Sequence, residues 1–417
     1  MRLTTCILLL IAPILCFAQE ELNDDRKILN RRDVNAAMSE PVYNRLSAIH
    51  DQMGEDKLVE ALVAVGKLEN RSLSKYEKAL VQQTFGFIYA QKGDEKQAIQ
   101  RFEQCLELNS LPGSAHQGML YSLAGLYAAQ EEYLKSIETA REWFRYEKEP
   151  SPDAYMLIGS AFAQLERFDD ALPYVLKAID KADEPRENWY MLALAIHFEK
   201  ERFRAAADTL VIMLQHWPEK PRYWDMLAGS YLELEDDKRA LDTMMVSYAN
   251  GMLTNPVRIR AVVQLGMMRD MPYTAGVILD KEITKGTLEA DEENLKVLLQ
   301  AWLSSHEFDR AVEVINRLEP YADDGEYFLQ AAQIYNETGD WEKVVENSTK
   351  ALEGGLKKPE NALMLAGTAY TELDRYDEAT RAFLRVRETG DSSARRNAES
   401  WIAFVDEQRQ LARASIR

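Results

Sequence analysis

The groups able to do acid–base, nucleophilic or metal chemistry in this 417-residue chain are few and scattered. Its five histidines (His50, His116, His197, His216 and His306) stand far apart, and none has a second histidine or a cysteine one helical turn away. The acidic pairs Asp236-Asp237 and Asp323-Asp324 sit in turn-like stretches, where carboxylates serve as solvated caps. Of three cysteines, Cys6 and Cys16 lie in an N-terminal leader, which leaves Cys105 without a disulfide partner. The sequence contains no phosphate loop, dinucleotide fingerprint, HExxH or GxSxG element. These residues predict a protein that is not an enzyme and uses no metal, cofactor or small-molecule substrate.

A second set of polar residues recurs in register. Tyr89, Tyr127, Phe162, His197, Tyr231, Gly266, Trp302, Tyr335 and Tyr370 follow one another at intervals of 38, 35, 35, 34, 35, 36, 33 and 35 residues. Two residues beyond each stand Gln91, Ala129, Gln164, Glu199, Glu233, Met268, Ser304, Glu337 and Glu372, mostly Glu or Gln. Six residues before each stand Gln83, Tyr121, Met156, Met191, Asp225, Arg260, Lys296, Leu329 and Met364. The first set reads as an acid-leaning ladder suited to a basic or amide-rich partner segment, or as an ordinary solvated face. In the second set, the methionines and Tyr121 read as an adaptable apolar patch or as helix-end packing. The candidate partner-binding residues are therefore Gln91, Tyr121, Met156, Gln164, Met191, Glu199, Asp225, Glu233, Glu337 and Glu372.

The elements that must carry this ladder are helices. Nine residues after each aromatic position stand Ala98, Ser136, Ala171, Ala206, Ala240, Ala275, Ala311, Val344 and Ala379, a second signal in the same register. In the clearest unit, Tyr155, Ile158, Gly159 and Phe162 share one face of a helix over 153–165, and Ala171, Val175 and Ala178 one face of a helix over 169–181. Pro152 suits a first turn, and Arg167-Phe168-Asp169 forms the connection with Phe168 as an apolar plug. Tyr133, Phe203, Phe308, Trp341 and Tyr376 repeat the plug. Only 19 glycines and 13 prolines agree with an all-α chain. With 50 basic against 69 acidic residues, the net charge of -19 argues against nucleic acid as the main ligand.

These residues resemble the tetratricopeptide repeat family. Trp224, Leu227, Ala228, Tyr231, Ala240 and Met244 fit its pattern in one unit. Phe85, Gly86, Tyr89, Gly93, Ala98 and Phe102 fit it in another, and Leu363, Gly367, Tyr370, Tyr376, Ala379 and Phe383 in a third. The resemblance implies a right-handed α-solenoid, a superhelix of about ten helix hairpins over 41–390, whose first helices line a concave groove for a protein or peptide. The unit from Val257 to Lys285 departs most, with Gly266 at the aromatic position, and reads as a hinge or a decayed repeat. Residues 19–40 are polar and expected to be flexible. Residues 391–417 form a capping helix with Trp401, Ile402 and Val405 inward and Arg395, Arg396, Arg409 and Arg413 outward.

Residues 1–18 read as a signal peptide: Arg2, the apolar run Ile7–Leu15, then small residues, with cleavage after Ala18. No other run is long enough to span a membrane. The whole-chain pattern also resembles exported tetratricopeptide proteins that accompany TonB–ExbB–ExbD systems. That resemblance implies a periplasmic adaptor in TonB-dependent outer-membrane transport, with a component of that complex as partner. The alternative is an envelope-assembly or polysaccharide-export scaffold.

Overall fold

The structure is a computed structural model that describes residues 22–23, 27–30, 34, 36–321 and 324–415. The expected leader, with Cys6 and Cys16, lies outside the described residues, as does Asp323. Among the described residues there are twenty-one α-helices, one short 3-10 turn at Glu319–Tyr321 and no strand. The chain divides into two compact units, one ending at Leu234 and the other beginning at Glu235.

In the first unit, α1 (Glu40–Gly54) pairs with α2 (Leu58–Glu69), α3 (Lys75–Gln91) with α4 (Glu95–Glu107) and α5 (Gly113–Ala129) with α6 (Tyr133–Phe144). Then α7 (Pro152–Gln164) pairs with α8 (Phe168–Lys181) and α9 (Glu187–Glu199) with α10 (Phe203–His216), and α11 (Pro221–Glu233) packs on α10. The second unit opens with α12 (Asp237–Ala249). Four hairpins follow: α13 (Pro256–Met268) with α14 (Pro272–Thr284), α15 (Glu292–Ser304) with α16 (Phe308–Leu318), α17 (Glu326–Thr338) with α18 (Trp341–Glu353) and α19 (Pro359–Glu372) with α20 (Tyr376–Thr389). Helix α21 (Ser392–Ser415) closes the unit against α20. Both units are α-solenoid stacks of helix hairpins.

Each hairpin turns on one left-handed residue. In the first unit these are Asp56, Gly93, Glu131, Glu166 and Glu201, and in the second Asp270, His306, Gly339 and Asp374, with φ between 52° and 77°. From Gly93 onward each stands four residues after the aromatic position. The next residue's N–H donates back to the carbonyl of that aromatic position: Asp94 to Tyr89, Arg167 to Phe162, Glu307 to Trp302 and Arg375 to Tyr370, at 2.8–2.9 Å. This six-to-one bond ends the first helix, satisfies a carbonyl that would otherwise be orphaned, and reverses the chain. It also corrects the expected connection. The first helix stops at Gln164, the turn runs over 165–167, and Phe168 is the opening residue of α8 rather than part of the turn. Phe168 and its counterparts are half-buried beside the turn.

The two helices of a hairpin meet through small side chains. The nine positions that follow the aromatic by nine residues are all at most 1% exposed where they are apolar, and Ser136 is equally buried. Opposite them, small meets large. A Cβ on Gly86 would lie 2.1 Å from the Phe102 ring, one on Gly367 2.5 Å from Phe383, and one on Gly159 2.8 Å from Val175. The divergent hairpin α13–α14 obeys the same logic with other residues. Pro272 takes the first position of α14, where its missing N–H costs nothing. A Cβ on Gly276 would press on Trp302, 2.9 Å away.

At the ends, Trp401, Ile402 and Val405 pack into the core beside Phe383, as the terminal-helix pattern predicts. Arg409 does not point outward. Its guanidinium donates to the Tyr376 carbonyl and Thr380 Oγ1, each at 3.0 Å, and pairs with Asp377, because α20 ends its first turn with acceptors facing α21. Near the N-terminus, Leu22 packs against the α5–α8 core and the Leu29 N–H donates to the Arg145 carbonyl at 2.8 Å. Ser39, the residue before α1, donates its N–H and hydroxyl to Glu77 at 2.9 and 2.7 Å. Glu77 also accepts from the Ser74 N–H in a capping box. The Ser39 bonds hold its carboxyl down at about 2.

Two outcomes follow from this packing. Gly86→Ala gains roughly 1 kcal/mol of helix propensity but overpacks Phe102, so a net loss of about 1–2 kcal/mol is expected in chemical denaturation. Adding Phe102→Leu should recover part of it. Glu166→Gly relieves a left-handed side chain and should raise stability by up to about 1 kcal/mol, whereas β-branched Glu166→Val should lower it.

Candidate partner-binding surface

Helix α7 is buried on most of its circumference, because it packs against its own second helix and against the neighbouring hairpins. In α7, Ala154, Tyr155, Met156, Ile158, Gly159, Ala161 and Phe162 are all buried. Solvent reaches Asp153, Leu157, Ser160 and Gln164, which lie three or four residues apart on one stripe. The same stripe on α9 is Asn188, Leu192, Ala195 and Glu199, and on α11 Arg222, Met226, Gly229 and Glu233.

The ladder positions two residues beyond the aromatics are exposed in all nine helices, so Gln91, Gln164, Glu199 and Glu233 in the first unit, and Glu337 and Glu372 in the second, face solvent. Gln91 also donates its amide to the Met53 carbonyl at 3.3 Å. The set six residues before the aromatics is placed differently. Met156 is 8% exposed and belongs to the core with Trp143, Phe144 and Tyr155. Tyr121, Met191 and Asp225 are half-buried, and the Tyr121 ring packs 5.0 Å from Trp143. Burial raises the Tyr121 hydroxyl above its ordinary value. Helical geometry explains the difference: stepping back from an exposed ladder residue by four and then three reaches positions two and five before the aromatic, not six. Leu157, Ser160, Leu192, Ala195, Met226 and Gly229 are the stripe residues that sequence reasoning missed, and that i, i+3, i+4 count would have found them.

Neighbouring hairpins are stitched by charge at both edges of the first unit. Arg186 pairs with Asp153 and Arg202 with Asp169, both at 2.5 Å, while Lys220 and Tyr223 both reach Glu187. Those two donors hold the Glu187 carboxyl below its usual range, and burial beside Glu187 pushes Tyr223 up to about 12. Asp236 caps α12 by accepting from the Arg239 N–H at 3.1 Å, the cap role read from the sequence, while Asp324 accepts from the Glu326 N–H in the turn before α17, whose N-cap is Gly325.

Cys105 and His197 are packed into the core. The Cys105 thiol is fully buried, donates to the Ala79 carbonyl at 3.1 Å, and is pushed up to about 12 by burial. His197 fills its aromatic slot in the core, with no hydrogen-bond partner for Nδ1. Burial, with the Arg202 charge, lowers its pKa. Among the described residues no three His, Cys, Asp or Glu side chains are placed to hold a metal, and no helix is long and apolar enough to cross a membrane.

Sequence models described as tetratricopeptide repeat match residues 81–110 and 144–187. These stretches fall on α3–α4 and on the α7–α8 hairpin with its flanks, so two parts of the chain match tetratricopeptide repeat models. The TPR repeat-containing protein YpiA of Bacillus subtilis is 24% identical over 199 residues, covering 46% of this chain and 45% of YpiA. The match thus spans about half the length of that curated relative. A tetratricopeptide repeat protein from Parabacteroides merdae aligns with 63% of this chain and 99% of its own, at 13% identity and a TM-score of 0.37. YrrB, described as a tetratricopeptide repeat protein with an unusual peptide-binding site, aligns with 40% of this chain and 82% of its own, at 17% identity and a TM-score of 0.34.

His197 makes a pH test of the core. Its pKa is depressed in the folded state, so the stability it permits is full above its ordinary value of 6.5 and is lost as pH falls below it. His197→Phe, which restores the aromatic found in most other repeats, should raise the melting temperature. It should also remove that component of the decline when unfolding is followed from pH 7.5 downward.

Proposed function

We propose that this chain is a non-enzymatic periplasmic scaffold that holds an extended, basic or amide-rich segment of a partner protein along the exposed stripe of its first helices. Tetratricopeptide repeats are generally protein–protein interaction scaffolds, which supports the coarse reading. The observation that carries the finer one is the stripe itself: the same register on α7, α9 and α11 presents Gln164, Glu199 and Glu233 beyond a floor of small and aliphatic side chains, Ser160, Ala195, Gly229, Leu157, Leu192 and Met226. A backbone can approach the small residues, aliphatic side chains can rest on the leucines and Met226, and the carboxylates and amide offer hydrogen-bond acceptors. The leader read over residues 1–18 supports export. The resemblance to proteins accompanying TonB–ExbB–ExbD supports a component of that complex as partner and a role in TonB-dependent outer-membrane transport.

The test is site-specific photo-crosslinking in cells from position 195. Combined Glu199→Lys and Glu233→Lys should reduce capture of the partner severalfold while circular dichroism and melting temperature stay unchanged. Undiminished capture would show the ladder to be only a solvated face. Crosslinks to polysaccharide-export components instead of TonB, ExbB or ExbD would replace the transport assignment with the envelope-assembly one.

A further inference from the structure

Helix α13 breaks the charge and polarity of the surface around it. The other hairpin first helices of its unit, α15, α17 and α19, each carry more acidic than basic residues. Helix α13 carries no acidic residue, two arginines (Arg258 and Arg260), and a third, Arg269, immediately after its last turn. None of the three makes an ion pair among the described residues, whereas Arg310, Arg317 and Arg375 do and Arg381, Arg385 and Arg387 on α20 do not.

The exposed side of α13 also carries large apolar side chains. Its buried side is Ile259, Val262, Val263, Leu265 and Gly266. Directly opposite, Val257 and Met268 are 65% and 72% exposed. At 100° per residue, Val257, Ala261, Gln264 and Met268 fall on one line, with Arg260 flanking it on one side and Arg258 and Arg269 on the other. Met268 occupies the very position held by Glu or Gln in most other repeats. The result is a line about 16 Å long, apolar at Val257, Ala261 and Met268 and interrupted by Gln264, between basic margins.

We infer that this face of α13 is a docking surface for an acidic segment of a partner protein that carries an aliphatic or aromatic side chain. It is distinct from the acid-leaning stripe of the first unit and opposite to it in sign. The apolar line takes the partner's apolar side chains, with the flexible Met268 adapting to their shape. The three free guanidinium groups pair with carboxylates on either side. Charge complementarity selects the occupant. In a chain of net charge -19, an acidic segment is repelled from most of the surface and here finds cations on a helix that carries no carboxylate of its own. Screening over about 8 Å at physiological ionic strength makes the local arginines, not the net charge, decide the encounter.

The test is fluorescence anisotropy with the full chain and three labelled peptides: Glu-rich with leucine at every third or fourth position, Glu-rich with serine in those places, and Lys-rich with the same leucines. The Glu/Leu peptide should bind, and weaken as salt is raised. Arg258→Glu with Arg260→Glu, and separately Met268→Asp, should each weaken it about tenfold. The Lys/Leu peptide should be insensitive to both variants, and Glu199→Lys with Glu233→Lys should leave the Glu/Leu peptide unaffected, which separates this surface from the stripe of the first unit. The inference is overturned if the Glu/Leu peptide does not bind, binds the variants equally, or binds no better than the Glu/Ser peptide. It is equally overturned if the arginine and methionine variants abolish sedimentation with phosphatidylglycerol vesicles but leave the peptide alone, since the face would then meet lipid.

Discussion

The structure depends on a backbone constraint repeated about every 35 residues: one residue in the left-handed region, followed by an N–H that returns to the carbonyl five residues earlier. That bond decides where each first helix stops and the angle at which the second leaves. With the angle set, Gly86 comes to lie over Phe102, Gly159 over Val175 and Gly367 over Phe383. Seven hairpin turns hold this conformation with a side chain rather than glycine, among them Glu131, Glu166, Glu201 and Asp374. A left-handed side chain costs energy locally, and the packed hairpin over-determines it. The acidic choice has an electrostatic logic, because the turn lies against the positive N-terminal end of the second helix.

Burial then leaves α7, α9 and α11 a shared exposed stripe. Once its own second helix and the neighbouring hairpins are packed, α7 offers solvent little beyond Asp153, Leu157, Ser160 and Gln164. The inter-hairpin pairs Asp153–Arg186 and Asp169–Arg202 are half-exposed and contribute little energy individually. Their effect is on register, since each fixes one hairpin against the next. The acidity of the chain is thus divided among turn residues, inter-hairpin pairs and the ladder. Only α13 among the hairpin first helices of its unit reverses the sign.

Helix count, pairing and core were legible because they rest on side-chain size at fixed intervals, as with Gly86, Ala98 and Phe102. The boundary at Phe168 was not. A turn residue such as Glu166 looks like any exposed glutamate, and nothing in its chemistry announces a positive φ. Met156 was misplaced for a geometric reason: a stripe offset by one residue turns a side chain by 100°, from solvent into the core. Arg409 looked like a solvated charge because the Tyr376 carbonyl that receives it comes from a different helix. The exposed ladder at Gln164, Glu199 and Glu233 was readable, whereas its floor of small residues required the exposure pattern of the folded helices.

The most direct measurement is cysteine accessibility in a chain whose Cys6 and Cys16 are replaced by serine, which leaves the buried Cys105 as background. Ser160→Cys and Gln164→Cys on the stripe, Ala161→Cys in the core and Leu176→Cys on the exposed side of α8 would be labelled with a maleimide, with and without a lysine- and glutamine-rich peptide. Rapid labelling at 160, 164 and 176 but not 161, with the peptide protecting only 160 and 164, is the predicted result. Protection at 176 in place of the stripe, or equal labelling at 160 and 161, would contradict the account.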